Sequence, residues 1–106
     1  MRLGDFDFCN NHNQFFWYDK DELVATVEIK QEKGVKWICG VYVSPAYRKN
    51  GLGKDLLQFS ALLGGKKLSV DKENTPALSL YRKLGFCIFD EDDENFFMQM
   101  KEIEHE

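Results

Sequence analysis

The sequence is short of several things, and each shortage narrows the reading. It has two prolines, Pro45 and Pro76, which excludes a Pro-rich linker or a polyproline segment. Its two histidines, His12 and His105, stand far apart and read as solvated side chains rather than ligands. Three cysteines, Cys9, Cys39 and Cys87, form no metal-ligand pair and cannot all pair within one chain. They fit a reducing, cytoplasmic setting, with all three expected to be buried apolar residues and no metal expected. No apolar run approaches the ~18–20 residues of a membrane span. Residues 1–5 lead into no apolar signal core, so neither a membrane nor secretion is expected. Positive charge is scarce as well. Lys plus Arg number 14 against 18 Asp plus Glu, a net charge of −4, and a nucleic-acid partner would call for a basic face.

What is present points to a folded α+β chain. At 106 residues the length allows one domain over 1–106. Apolar residues at 43% and aromatics at 14% are too many for a disordered chain. The first 43 residues read as strands. Phe6 and Phe8 alternate with Asp5 and Asp7, residues 10–13 form a turn cluster, and residues 14–18 are aromatic and strand-like. Residues 23–30 then alternate, with Val24, Thr26, Glu28 and Lys30 on one face and Leu23, Ala25, Val27 and Ile29 on the other. Residues 37–44 make a further strand. Short turns between successive strands imply an antiparallel four-stranded meander.

The second half changes period. Leu52, Leu56, Phe59 and Leu63 line one helix face, and Gly64 and Gly65 end that helix. Residues 68–70 are a short strand. A second helix has Thr75 as its expected N-cap, Pro76 at its first position, Arg82 and Lys83 in its last turn and Gly85 at its stop. Its buried face is expected to be Ala77, Leu80, Tyr81 and Leu84. Residues 86–90 and 95–101 form a last pair of strands around an acidic turn, and residues 102–106 read as a frayed tail. The strand–helix–strand crossovers favour some parallel pairing. The expectation is a mixed, mostly antiparallel sheet of six to seven strands flanked by two helices.

Chemistry is concentrated where Val41-Tyr42-Val43 runs into Arg48-Lys49-Asn50-Gly51-Leu52-Gly53-Lys54. A strand enters a loop with two glycines, and a helix follows at once. Glycine lets the backbone approach a ligand and adopt positive φ. A helix start presents unpaired N–H groups at the positive end of its dipole. Together they make an anion cradle suited to a phosphate or pyrophosphate, with Arg48 and Lys49 adding charge. The rival reading is a tight strand–helix connection and nothing more. The spacing is not that of a P-loop, which needs a longer glycine interval and a Lys-Ser/Thr pair. Nor is it a dinucleotide fingerprint, since position 56 is Leu.

Arg48-Lys49-Asn50-Gly51-Leu52-Gly53 resembles the Arg/Gln-x-x-Gly-x-Gly/Ala signature of the GNAT superfamily of acyl-CoA-dependent N-acetyltransferases. The stretch from Leu68 through Asn74, Tyr81, Gly85 and Phe86 resembles that family's second motif. The resemblance implies an acetyltransferase that uses acetyl-CoA as co-substrate and an amine, on a small molecule or a protein, as acceptor. It implies that backbone N–H groups of residues 49–54 hold the pyrophosphate, and that the main chain of Val41 and Val43 borders the pantetheine arm. Asn74 would contact that arm, and Tyr81 would protonate the leaving thiolate. Direct attack of the amine is expected, with no covalent enzyme intermediate. The competing roles are a core aromatic for Tyr81 and a helix-capping or turn residue for Asn74.

Three departures from the family pattern stand out. Only residues 10–13 separate the first two strands, where such proteins usually place two helices that wall the acceptor pocket. The helix after the glycine loop is short. The fourth-strand positions near Trp37 and Cys39 carry no carboxylate, so the base is unassigned, with Glu28 and Asp71 as candidates. The site is therefore expected to be open to a bulky acceptor or completed by a second copy in a homodimer. An inactive CoA-binding module is the alternative.

Overall fold

A computed structural model describes residues 1–100 of the chain. A 3-10 turn, Leu3–Asp5, leads into β1 (Asp7–Asn11), β2 (Gln14–Asp19), β3 (Glu22–Glu32) and β4 (Val35–Val43). Tight turns join the four strands, with His12, Lys20 and Lys33 at positive φ, and successive strands pair antiparallel. A 3-10 turn, Pro45–Tyr47, precedes α1 (Leu52–Leu62). Then come β5 (Lys67–Asp71), α2 (Thr75–Lys83), β6 (Phe86–Glu91) and β7 (Asn95–Met100). The seven strands form one mixed sheet in the order β1-β2-β3-β4-β5-β7-β6. No helix among the described residues is long and apolar enough to cross a membrane.

The connections decide where the helices lie. β4 and β5 are parallel neighbours. β5 and β6 are each antiparallel to β7 and so parallel to one another. Both strand–helix–strand crossovers advance in the same direction across the sheet. Right-handed crossovers therefore put both helices on one face. The packing agrees, since a Cβ added to Gly53 of α1 would stand 3.1 Å from Leu80 of α2.

Burial divides along the same line. Trp17, Ala25, Val27, Ile29, Ile38, Leu68, Val70, Phe86 and Met98 are buried on the sheet, beneath Leu52, Leu56, Leu57 and Tyr81 of the helices. Phe59 of α1 packs its ring against Phe8, Phe15 and Trp17 at 5.0–6.0 Å. The other face holds the cross-strand neighbours Phe16 and Thr26, Glu28 and Cys39, Lys30 and Trp37, and Trp37 and Lys67. Every one of these is half-buried or exposed. One face of the sheet is roofed and the other is open.

Several expectations are corrected by this arrangement. The cysteines are not all buried: Cys9 and Cys87 are exposed and Cys39 is half-buried. By register all three sit on the open face, where no helix covers them. Val24 does not share a face with Thr26 and Glu28. A register shift between Trp17 and Tyr18 places Leu23 opposite Tyr18, and Val24 joins Ala25 in the core with no exposure. In α1 the buried positions are Leu52, Leu56, Leu57 and Ser60, while Leu63 lies past the helix end and is exposed. The N-cap of α2 is Asn74, not Thr75, because the Asn74 Oδ1 accepts the Ala77 N–H at 3.3 Å. Pro76 is accordingly the second helical residue. β1 begins at Asp7 rather than Phe6, and β4 spans Val35–Val43. Lys101 and the expected tail lie outside the described residues.

Candidate functional site

The site is built at the carboxyl ends of the two parallel strands. β4 and β5 pair only through Trp37 with Lys67 and Ile38 with Leu68. Beyond that point β4 continues to Val43 and β5 to Asp71 without pairing to each other. The sheet therefore splits into a wedge, with Val41 and Val43 on one lip and Val70 and Asp71 on the other. Crevices at the carboxyl ends of parallel strands are where such sheets hold ligands. α1 and α2 both start at this edge.

A bulge sits on the β4 lip. Glu28 pairs with Cys39 and Thr26 with Tyr42, so Gly40 and Val41 together oppose Val27. Gly40 has φ +56, a left-handed conformation glycine adopts without penalty. An isolated glycine inside a strand is the sequence signal for such a bulge, and it was open to reading at Gly40.

The glycine loop runs directly into the start of α1. Gly51 is the N-cap of α1 at φ +81, and Lys49 is also at positive φ. A glycine cap brings no side chain to satisfy the first turn. The first helical N–H with a carbonyl partner is that of Asp55, bonded to Gly51 at 3.2 Å. The N–H groups of Leu52, Gly53 and Lys54 precede it and have no such partner among the described residues. The Leu52 side chain is buried, so only its backbone faces the mouth.

The side chains around the cradle hold its shape. Asn50 Nδ2 donates to the carbonyls of Tyr47 and Arg48 at 3.3 and 3.2 Å. Arg48 Nε donates to the Val43 carbonyl at 2.8 Å, and its guanidinium lies over the Tyr42 ring at 5.8 Å. Arg48 thus ties the loop to the lip of the wedge. Asp55 is the acidic residue in the first turn. Its Oδ2 accepts Arg2 Nε at 2.8 Å and the Leu3 N–H at 3.1 Å, so its charge is neutralised away from the cradle. Lys49 and Lys54 are exposed. Free N–H groups, no side chain at the cap and a compensated carboxylate fit a pyrophosphate.

Asn74 caps α2 through Oδ1, which leaves its amide N–H₂ without a partner among the described residues. Tyr81 packs its ring 6.2 Å from Phe86 and is 8% exposed. Its hydroxyl bonds no described residue, yet among the described residues no side-chain N or O atom is buried without a partner, so the oxygen keeps access to solvent. Burial raises the phenol above its ordinary pKa, and the group is a proton donor at neutral pH. Burial likewise pushes the Cys39 thiol up, against the opposing pull of Lys30, so Cys39 is a poor thiolate.

The two candidate bases differ in their surroundings. Asp71 Oδ1 accepts the Glu73 N–H at 2.8 Å in the turn before α2. Glu28 stands beside Cys39 on the open face, and among the described residues its one ion-pair partner is Lys30, at 3.9 Å. Among the described residues no group of three His, Cys, Asp or Glu side chains is placed to hold a metal.

Known proteins share this fold. The model of the acetyltransferase (GNAT) family matches residues 2–86. Mycothiol acetyltransferase of Corynebacterium glutamicum (strain R) is 34% identical over an alignment of 89 residues that covers 77% of this chain. The chain spans 30% of the length of that curated relative. The crystal structure of PaiA N-acetyltransferase from Thermoplasma acidophilum in complex with coenzyme A superposes with a TM-score of 0.72 at 24% identity. That match covers 84% of this chain and 60% of the other. A GNAT family acetyltransferase from Elizabethkingia anophelis with acetyl-CoA bound gives 0.72 at 18% identity, over 83% and 74% of the two chains.

Proposed function

The chain belongs to the GNAT acetyltransferase family, and on that premise we propose that it moves an acetyl group from acetyl-CoA to an amine. The observation that carries this reading is the wedge between β4 and β5 opening directly onto the glycine-capped start of α1. Free N–H groups at a helix start suit a pyrophosphate, and a gap between two strands suits an extended arm bonded to unpaired main chain. Relatives described as binding coenzyme A or acetyl-CoA support the same cofactor.

The residues divide the reaction as follows. The neutral amine attacks the thioester carbonyl carbon and a C–N bond forms. Main-chain N–H at the Gly40–Val41 bulge stabilises the oxygen as it gains charge. The carbon–sulfur bond breaks, and the departing sulfur takes the Tyr81 phenol proton. The surplus proton on nitrogen passes to Glu28, directly or through water, because Asp71 already serves its turn. A general acid of this kind contributes about 10²–10⁴-fold. No enzyme-bound acyl group is needed, in keeping with the raised pKa of the Cys39 thiol.

Incubation with acetyl-CoA and a panel of amines, following release of free CoA thiol, tests the reading. Acceptor-dependent release is expected, with kcat falling about 10²-fold or more in Tyr81→Phe. The variant should keep its acetyl-CoA thermal shift. At 100-fold over Kd that binding adds about 2.7 kcal/mol of stability, on the order of 10 °C in Tm for a domain of this size. Binding without release from any amine would leave a CoA-binding module instead. No shift at all would remove CoA from the account.

A further inference from the structure

Building on the acetyl-transfer reading, we infer that the acceptor is a small amine carrying a carboxylate, seated on the open face of the sheet. The two helices and the cradle occupy the opposite face, so the mouth of the wedge left to an acceptor is on the open side. There the register sets charged and aromatic residues in rows across the strands. Glu28 and Cys39 stand in the row at the mouth. Two residues further from it, Lys30, Trp37 and Lys67 stand side by side on β3, β4 and β5. The Lys67 ammonium lies 5.9 Å from the Trp37 ring and 4.7 Å from that of Phe89. Phe97 completes the platform, 6.3 Å from Trp37 and 6.5 Å from Phe89.

The face is thus dipolar. A carboxylate sits beside the mouth, and two ammonium groups flank an indole a row away. Lys30 is exposed and meets Glu28 only at 3.9 Å, so it can swing to an incoming anion. An amine with an anionic tail complements this pattern in one orientation, nitrogen toward Glu28 and carboxylate over Trp37 between the lysines. Lys30 lies too close to Glu28 to set a length, but Lys67 stands two strands across and two residues along from it, about 12 Å between backbones. That length rules against an α-amino group, which adjoins its carboxylate, and favours an amine separated from the carboxylate by several methylenes. Those methylenes lie on Trp37. The matching acceptors are ω-amino acids and the side-chain amine of free lysine.

The experiment compares 6-aminohexanoate, hexylamine and 1,6-diaminohexane as acceptors in the thiol-release assay. The expected order in kcat/KM puts 6-aminohexanoate at least tenfold above the other two, the scale of one charge-assisted contact. In Lys30→Met with Lys67→Met the advantage should vanish through KM, with kcat and the acetyl-CoA thermal shift retained. Lys67→Glu should favour the diamine instead. Equal rates for all three amines, a diamine preference in the unaltered protein, or transfer confined to protein lysines overturns this inference and leaves acetyl transfer standing. No release from any amine, with acetyl-CoA still bound, removes both.

Discussion

The two faces of the sheet are made from the same kinds of residue and serve opposite ends. The roofed face carries Trp17, Val27, Ile38, Leu68 and Met98, all closed off by α1 and α2. The open face carries Phe16, Tyr18, Trp37, Phe89 and Phe97, none of them buried. Aromatic content therefore does not distinguish core from surface in this chain. What distinguishes them is the direction of the two crossovers, which sends both helices to one side. The roofed face holds the fold together and anchors the glycine cradle. The open face is left to recognition, and its aromatic residues are interleaved with Glu28, Lys30 and Lys67, as a binding surface would have them.

The sharpest way to break this contrast is to cut into the roofed face. Leu56→Ala removes a side chain with no exposure and should cost about 2–5 kcal/mol, read from urea unfolding. A loss below 1 kcal/mol would mean that α1 is not the roof. Next comes the cradle. Gly51→Ala keeps clear space around the new Cβ but forces a left-handed residue, at φ +81. It should cost about 1–2 kcal/mol and weaken the acetyl-CoA thermal shift, whereas an unchanged shift would detach the cap from cofactor binding. On the open face, Phe16→Ser should cost under about 1 kcal/mol, and a core-sized loss in the same unfolding assay would show that this face is covered.

The smallest effect lies far from both, in the β6–β7 turn. The N–H groups of Asn95 and Glu94 hold the Asp92 carboxyl below its ordinary pKa. Such a group adds stability above the unfolded carboxylate range and loses it as pH falls through the lowered value. Asp92→Ala should therefore melt slightly lower at neutral pH, with the gap closing on acidification. A gap that is constant down to pH 2 would assign the turn's stability to something other than this charge.

Much of this architecture is readable from residues alone. The meander follows from the turn clusters, the helices from their leucine spacing, and the cradle from Gly51 and Gly53 following a strand. The departures from expectation have separate physical causes. A two-residue period says that a strand has two faces, but not which one a helix will cover. Residue type alone points Cys9, Cys39 and Cys87 to the core, yet they lie on the open face. Alternation alone puts Val24 on the face of Thr26, but a bulge shifts the phase of β3, and local alternation carries no trace of its partner strand. Asn74 outcompeted Thr75 as cap through one side-chain bond to Ala77, a choice between two good capping residues. The row of Lys30, Trp37 and Lys67 was out of reach because its members lie on three strands and meet only once the register is set.

The seam between β4 and β5 has a mechanical consequence. Only two residue pairs stitch the meander to the β5–β7 unit within the sheet, so the helices on one side act as the hinge plate. Within the sheet the two parts meet along a short seam, and one core joins them beneath the helices. Fragments divided in the loop after α1 are candidates for reassembly, and backbone amides of β4 beyond Ile38 should exchange with solvent faster than those of β3. An extended ligand lying in the wedge would bridge the two parts like a splint. Its effect would then register as stiffening across the seam, with little change in shape.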